Sequence, residues 1–375
     1  MKNKILQLLN IFKIKTVRYW SKINWPMREV LILAIFTGVS LIIFWLIVNQ
    51  EIKANILNSL ALGKGNSIKT VSDEKIPANY IRRRLDGVYV DPAGADYYPV
   101  AVMIDNDPNA RPQRGLAQGN IVYEAKAESG ITRYLAIFAA SSSATNIGPV
   151  RSARPYYLDW AEGYGALYAH VGGSPETLSR IKSENVPDIN EFYQGQYFWR
   201  ADDYVAPHNV FTSFENLNKY LAKMNIKDSN YDSWLYKDEA ESATRASSSN
   251  IIINFSINDF LVNWKYDAAK NEYARYLAGA EHKDADGTPI LTKNIIIMKV
   301  KAKIIDAELR REMTTVGEGK AWYCLDGVCE QGSWKKEDRT KREKIYNSNK
   351  EEIKFNAGTT WIEVIQDEGQ VSITN

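Results

Sequence analysis

Cysteine is scarce in this 375-residue chain, which has only two. Two thiols make a poor zinc site, and their spacing is not that of a C-x-x-C redox pair. Acidic and basic residues nearly balance, leaving a formal net charge of +2. A dedicated nucleic-acid binder carries a clear basic excess, so that class is disfavoured. There is no P-loop, no G-x-S-x-G and no H-E-x-x-H, and hence no motif that names a reaction. Internal repeats and low-complexity tracts are also missing. Aromatic residues, by contrast, are plentiful: ten Trp and twenty-two Tyr place most of the chain among folded rather than disordered sequences. The length leaves room for two or three domains, each with a buried core.

One long uncharged run decides the compartment. Val30 to Val48 reads VLILAIFTGVSLIIFWLIV, long enough to cross a bilayer as one helix. Lys2, Lys4, Lys13, Lys15, Arg18, Lys22 and Arg28 precede it with no acid before Glu29, whereas Asn49, Gln50 and Glu51 follow. This asymmetry predicts a cytoplasmic N-terminus and an extracytoplasmic remainder at the plasma membrane. A cleaved signal peptide is the rival reading; the run exceeds a usual signal core, and no small-x-small site closes it. The amphipathic leader fits either a solvated tail or a segment on the inner membrane surface.

The cysteines suit an outside location. In AWYCLDGVCEQ, Asp326-Gly327 separates two apolar arms, a two-residue hairpin signal. Leu325 then faces Val328, and Cys324 faces Cys329 at a non-hydrogen-bonded site, with Cα atoms about 4.5 Å apart. A disulfide can bridge that separation. A structural disulfide is therefore expected.

The pattern divides the chain into a cytoplasmic leader (1–29), the membrane helix (30–48), a polar spacer (49–95), an α/β or α+β domain (96–227), a polar linker (228–250) and a mostly β domain (251–375). In the α/β domain, YPVAVMID, NIVYEAKAE, ITRYLAIFAA and ALYAHV read as strands. SARPYYLDWAEGYG reads as a helix with Ser152 as its N-cap. A second helix opens at Ser174-Pro175, and a third at Thr212 and Glu215 with capping-box spacing.

The chemistry gathers around GPVRSARP. Arg151 and Arg154 flank Ser152 at an expected helix mouth, where unpaired N–H groups favour anions and arginine adds bidentate donors. The alternative is that both pair with acids, either the local Asp159 and Glu162 or those of neighbouring strands. His170 ends a strand ahead of Gly172, Gly173 and Ser174, a second anion-friendly turn, and Asp105 ends the first strand in the same way. Glu124 and Glu128 are expected on one face of their strand near Arg133, suited to acid–base or metal work or to an ion-pair network. His208 reads as a surface or supporting histidine. His282, Asp284 and Asp286 read as a turn, with no metal assigned; no cofactor is implied.

The segments YPVAVMIDNDPNARPQRGLAQGNIVYEA, ESGITRYLAIF, IGPVRSARPYYLDWAEGYGALYAHVGGSP and PHNVFTS, with GKAWYCLDGVCEQGSWKK and AGTTWIEVI further on, resemble the bacterial YerB-like lipoproteins, a family of unknown function with N- and C-terminal domains. The resemblance covers about 280 of the 375 residues and implies an envelope protein. No cysteine stands directly after the apolar run, a departure from the lipoprotein pattern that implies a membrane helix in place of a lipid anchor. In layout the chain is also similar to LytR-type phosphotransferases. That likeness implies pyrophosphate binding by Arg133, Arg151 and Arg154, with Asp105 or Glu124 as metal ligand or base. Three functions are open: an envelope protein binding an anionic or peptidic wall ligand, a transferase or hydrolase on phosphorylated envelope glycans, and a scaffold docking a partner through its β domain.

Overall fold

Val100–Asp105, an apolar run closed by an acid, forms strand β1 with every residue buried. In this computed structural model, which describes residues 76–375 except 93, 94, 96, 97, 140–142 and 228, β1 lies deep inside a ten-stranded sheet. Its neighbours from the first half are β2 (Ile121–Lys126), β3 (Thr132–Phe138), β4 (Leu167–His170) and β5 (Asp188–Asn190). The second half supplies β6 (Asn250–Asn254), β7 (Leu261–Asp267), β8 (Glu272–Leu277), β9 (Asn294–Lys299), β10 (Gly317–Leu325), β11 (Val328–Lys336), β12 (Lys344–Tyr346), β13 (Thr360–Ile365) and β14 (Val371–Thr374). Helices α1 (Pro155–Glu162), α2 (Pro175–Ser183), α3 (Glu191–Gln194) and α4 (Phe214–Lys223) connect them.

The large sheet runs β12-β11-β10-β9-β13-β2-β3-β1-β4-β5. Strand β13 pairs in parallel with both β9 and β2, so strands from both halves form one continuous sheet. The polar 228–250 segment adds Leu235–Lys237 alongside Lys354–Asn356. Strand β1 is parallel to β4 and antiparallel to β3, and β4 is parallel to β5. Carboxyl ends of β1, β2, β4 and β5 thus share one edge with the start of β3.

Alternation along each strand sorts the core into two layers. Ala101, Met103, Leu135 and Ile137 pack with Tyr156, Tyr157, Leu158 and Trp160 of α1. On the other face, Val100, Val102, Ile104, Tyr134 and Ala136 meet α4 and a second sheet containing β8-β7-β6-β14. The architecture is mixed α/β with a mostly β second half.

Several local expectations are corrected. Regular structure begins before Tyr98: Ile81–Arg82 pairs with Tyr89–Val90, and Leu85 between them is buried. The α1 N-cap is Arg154, not Ser152, because Pro155 forces extended backbone on the residue before it (φ −135°, ψ 153°). Ser213 rather than Thr212 caps α4, since Thr212 is paired to Ile147 through both backbone groups and remains extended. Ser174 caps α2 as expected, accepting from the Thr177 N–H. The β10–β11 hairpin turns on Asp326 and Gly327, both at positive φ, and Cys324 is bonded to Cys329 with Cα atoms 4.0 Å apart. The Val30–Val48 run and its basic leader lie outside the described residues. Among the described residues no helix is long and apolar enough to cross a membrane.

Candidate functional site

The GPVRSAR stretch lies ahead of α1, which begins at Pro155. It fills the space where β1 and β4 part. Those strands pair from Val100 and Leu167 as far as Val102 and Ala169. Beyond that point Arg151 N–H donates to Met103 O (2.9 Å), Asp105 N–H to Pro149 O (2.9 Å) and Val171 N–H to Arg151 O (3.1 Å). Ala153 N–H reaches Gly172 O (3.0 Å), and Ser174 N–H reaches Ala153 O (3.2 Å). In open α/β sheets ligands gather in such crevices at the carboxyl ends of strands. Here the chain occupies the floor of the crevice itself and sets arginine side chains along it.

Asp105 is the hub. It is 1% exposed, and its Oδ2 lies 2.8 Å from Arg151 Nε and 2.8 Å from His208 Nδ1, while its Oδ1 accepts from the Asp107 N–H at 3.1 Å. Burial opposes ionisation of this carboxyl, but Arg133, Arg151, the Asp107 N–H and His208 together outweigh it and hold the group below its ordinary range. His208 Nε2 stands 3.9 Å from Asp107 Oδ1, outside hydrogen-bond range. Among the described residues, the terminal nitrogens of Arg151 have no protein partner, and the Arg151 and His208 side chains are 22% and 14% exposed.

The other two arginines belong to Glu128. Arg133 Nη2 lies 3.0 Å from Glu128 Oε2, and Arg154 Nε donates to Glu128 Oε1. Arg133 Nη1 also donates to Ser152 O (3.4 Å), and Arg154 Nη1 to Ala153 O (2.7 Å). Burial works against the Glu128 charge, yet Arg154 and Arg133 keep its carboxyl below the usual value. Asp159 and Glu162, the local acids, are held instead by Arg180 of α2, at 2.6 and 3.0 Å.

Glu124 and Glu128 do not share a face. β2 ends at Lys126, and a turn with Ser129 at φ 51° sends Glu128 toward the arginines. Glu124 lies on the opposite side of the sheet from Asp105, so the two cannot serve one reacting atom. There Arg275 of β8 donates to Glu124 Oε2, and Thr132 (2.6 Å) and Asn106 (3.3 Å) donate to Oε1; the Arg275 and Glu124 side chains have no exposure. Glu363 of β13 lies directly opposite Glu124 in register. Burial and the Glu124 carboxylate push its pKa far up, and Trp264 Nε1 donates to its Oε1 at 2.7 Å. Arg275 Nη1 donates to His282 Nδ1 (2.7 Å), which leaves His282 Nε2–H to donate to Gln113 Oε1 (3.0 Å). Gln113 in turn donates to Asp105 O at 3.0 Å.

His170 is fully buried. Its ring nitrogens lie 2.7 Å from Gly172 O and 3.1 Å from Asp188 Oδ2, away from the arginine cluster. Gly172 (φ 57°) donates its N–H to Asn190 Oδ1, and Gly173 forms the bridge to Ala153. Ser174 is engaged as a cap. Asp284 accepts from the Leu116 and Ala117 N–H groups rather than joining His282.

With this geometry established, the relatives follow. Residues 85–227 match the family model described as the N-terminal domain of a protein of unknown function (DUF3048), and residues 251–362 match its C-terminal domain. The chain is 31% identical over 301 residues, 79% of its length and 90% of the relative's, to the "Putative lipoprotein YerB" of Bacillus subtilis strain 168.

The chain belongs to the YerB-like family.

The crystal structure of Bacillus subtilis YerB superposes on it with a TM-score of 0.71 at 30% identity, covering 79% of this chain and all of that one. Sequence reasoning missed the place of His208 beside Asp105, as well as Arg275 and Glu363. Alternation carried a signal for Arg275, since it shares the buried side of its strand with Tyr273 and Leu277. Nothing local marked His208.

Proposed function

We propose that this chain is a membrane-anchored extracytoplasmic envelope protein that takes the carboxylate or phosphate of an envelope ligand at Arg151 and His208. The location is supported by the Val30–Val48 run with its basic leader, by the disulfide, and by the lipoprotein name of the Bacillus relative. One observation carries the ligand reading. A single buried oxygen, Asp105 Oδ2, is hydrogen-bonded to His208 Nδ1 and ion-paired with Arg151, whose Nε lies 2.8 Å away. Two side chains held this way keep their outer nitrogens available for an acceptor, with little ordering left for binding. Arg133 and Arg154 are spent on Glu128 and act as supports for the loop.

A histidine oriented by a buried carboxylate is also what a general acid–base step requires. That favours, as a second reading, a hydrolase or transferase acting on phosphorylated envelope glycans, with His208 as the proton-transferring group and Asp105 as its positioning residue.

Titration of inorganic phosphate and of acetate into the full-length chain tests the first reading. A charge-assisted contact contributes about 1.5–3 kcal/mol, so Arg151→Gln and His208→Ala should each weaken binding by about ten-fold or more. Arg154→Gln should leave affinity unchanged and lower the melting temperature, because Glu128 loses a partner. Equal affinity in parent and Arg151→Gln chains would sink the proposal.

A further inference from the structure

Two strands along the carboxyl edge from Asp105, the chain displays adjacent aromatic side chains: Phe192, 66% exposed, and Tyr193, 79% exposed. Among the described residues no other aromatic side chain is so exposed. Both are carried by α3, which follows β5 directly. Asn190 Oδ1 accepts from the N–H groups of Gly172 (2.9 Å) and Phe192 (3.2 Å), tying α3 to the glycine turn after β4. A Cβ on Gly172 would stand 2.7 Å from the Phe192 ring, so the ring packs where only glycine leaves room. Phe192 is thus held in place before any partner arrives.

Its frame is polar. Gln196 Nε2 donates to Gln194 Oε1 at 3.0 Å, and Arg200 is held by Glu191 (3.3 Å) and Asn209 (2.9 Å). No aliphatic side chain occurs in α3. A protein or lipid surface calls for a contiguous apolar patch, and here the two rings are bordered by the polar side chains of Glu191, Gln194 and Gln196. A sugar, with an apolar C–H face and a rim of hydroxyls, matches aromatic rings bordered by amides and carboxylates. Neighbouring strands lie about 4.8 Å apart, placing the platform about 10 Å from the Arg151–His208 pair, a span that a short oligosaccharide covers.

We infer that Phe192 and Tyr193 form a stacking platform for the sugar rings of an anionic glycan whose charged group is taken at Arg151 and His208. Only the charged end of this ligand rests on the function proposed above.

The test uses the full-length chain and calorimetric titration with four probes: a neutral N-acetylglucosamine tetramer, the same tetramer carrying carboxylates, the same tetramer carrying phosphates, and inorganic phosphate. Phe192→Ser/Tyr193→Ser should weaken all three tetramers by about five-fold or more and leave inorganic phosphate unchanged. Both side chains are exposed, so this variant should melt with the parent. Arg151→Gln should weaken the charged tetramers and phosphate but spare the neutral tetramer. Whichever charged tetramer binds more tightly identifies the ligand's anionic group. Failure of the parent to bind any tetramer overturns the platform, as do unchanged tetramer affinities in the aromatic variant. Loss of phosphatidylglycerol-vesicle binding or of self-association in that variant, with tetramer binding intact, overturns it as well. An Arg151→Gln chain with unaltered phosphate affinity counts against the anion site alone, because the neutral tetramer still judges the rings.

Discussion

Replacing Arg275 by Met removes the only cation, among the described residues, that touches Glu124 in a place where neither side chain reaches solvent. Breaking a buried ion pair from one side costs about 3–5 kcal/mol, because the remaining charge is left without compensation. The guanidinium also lies 4.9 Å from the Trp361 ring centre, 5.5 Å from Tyr134 and 5.7 Å from Trp264. Methionine retains much of that packing through its own contacts with aromatic rings. The charge therefore dominates, and a loss of about 3–5 kcal/mol is a large share of the roughly 5–15 kcal/mol by which folded domains are stable. Urea unfolding of the full-length chain, followed by tryptophan fluorescence, reads it directly, since two of the flanking rings are Trp264 and Trp361. Adding Glu124→Gln keeps an acceptor for Thr132 and Asn106 and should restore most of the loss. The reasoning fails if Arg275→Met costs under about 1 kcal/mol, or if the double variant is no more stable than the single one.

Two further outcomes are expected. Burial, with Asp286 adding to it, pushes the Asp284 carboxyl up to about 7 against the pull of backbone N–H groups; the contribution of Asp284 to stability should fall as pH rises from about 4 to 7, and the stability difference between the native chain and Asp284→Asn, read from melts, should shift in favour of the variant across that range. External protease on spheroplasts should digest the chain beyond residue 50 and spare the first 28 residues; protection of the C-terminal half until lysis would reverse the proposed orientation.

Some of this was readable from the residues in order. Apolar runs gave β1 through β4, and the Asp-Gly dipeptide gave both the β10–β11 turn and the cysteine pairing, because these signals are local. Arg151 and Arg154 were found by their spacing, but their partners were not. Asp105 meets Arg133 through strand register, and His208 arrives on a loop from a distant stretch of chain. The faces of Glu124 and Glu128 were misjudged because a period of two holds only while the strand continues, and β2 stops between them. Phe192 and Tyr193 escaped notice because exposure belongs to the folded surface rather than to the pattern.

The position of β13 between β9 and β2 bears on how such a chain is made. Ile121 lies beside Thr360 and Val364 beside Ala125, so β2 has one open side until almost the whole polypeptide has emerged. Contacts this remote in sequence form late and slowly. An unpaired apolar edge is meanwhile a template for the wrong strand. A chain released outside the cytoplasm would be vulnerable throughout that interval to proteases and to pairing with its neighbours. A nascent chain halted anywhere before Thr360 would carry the same open edge, which distinguishes an interrupted molecule from a finished one.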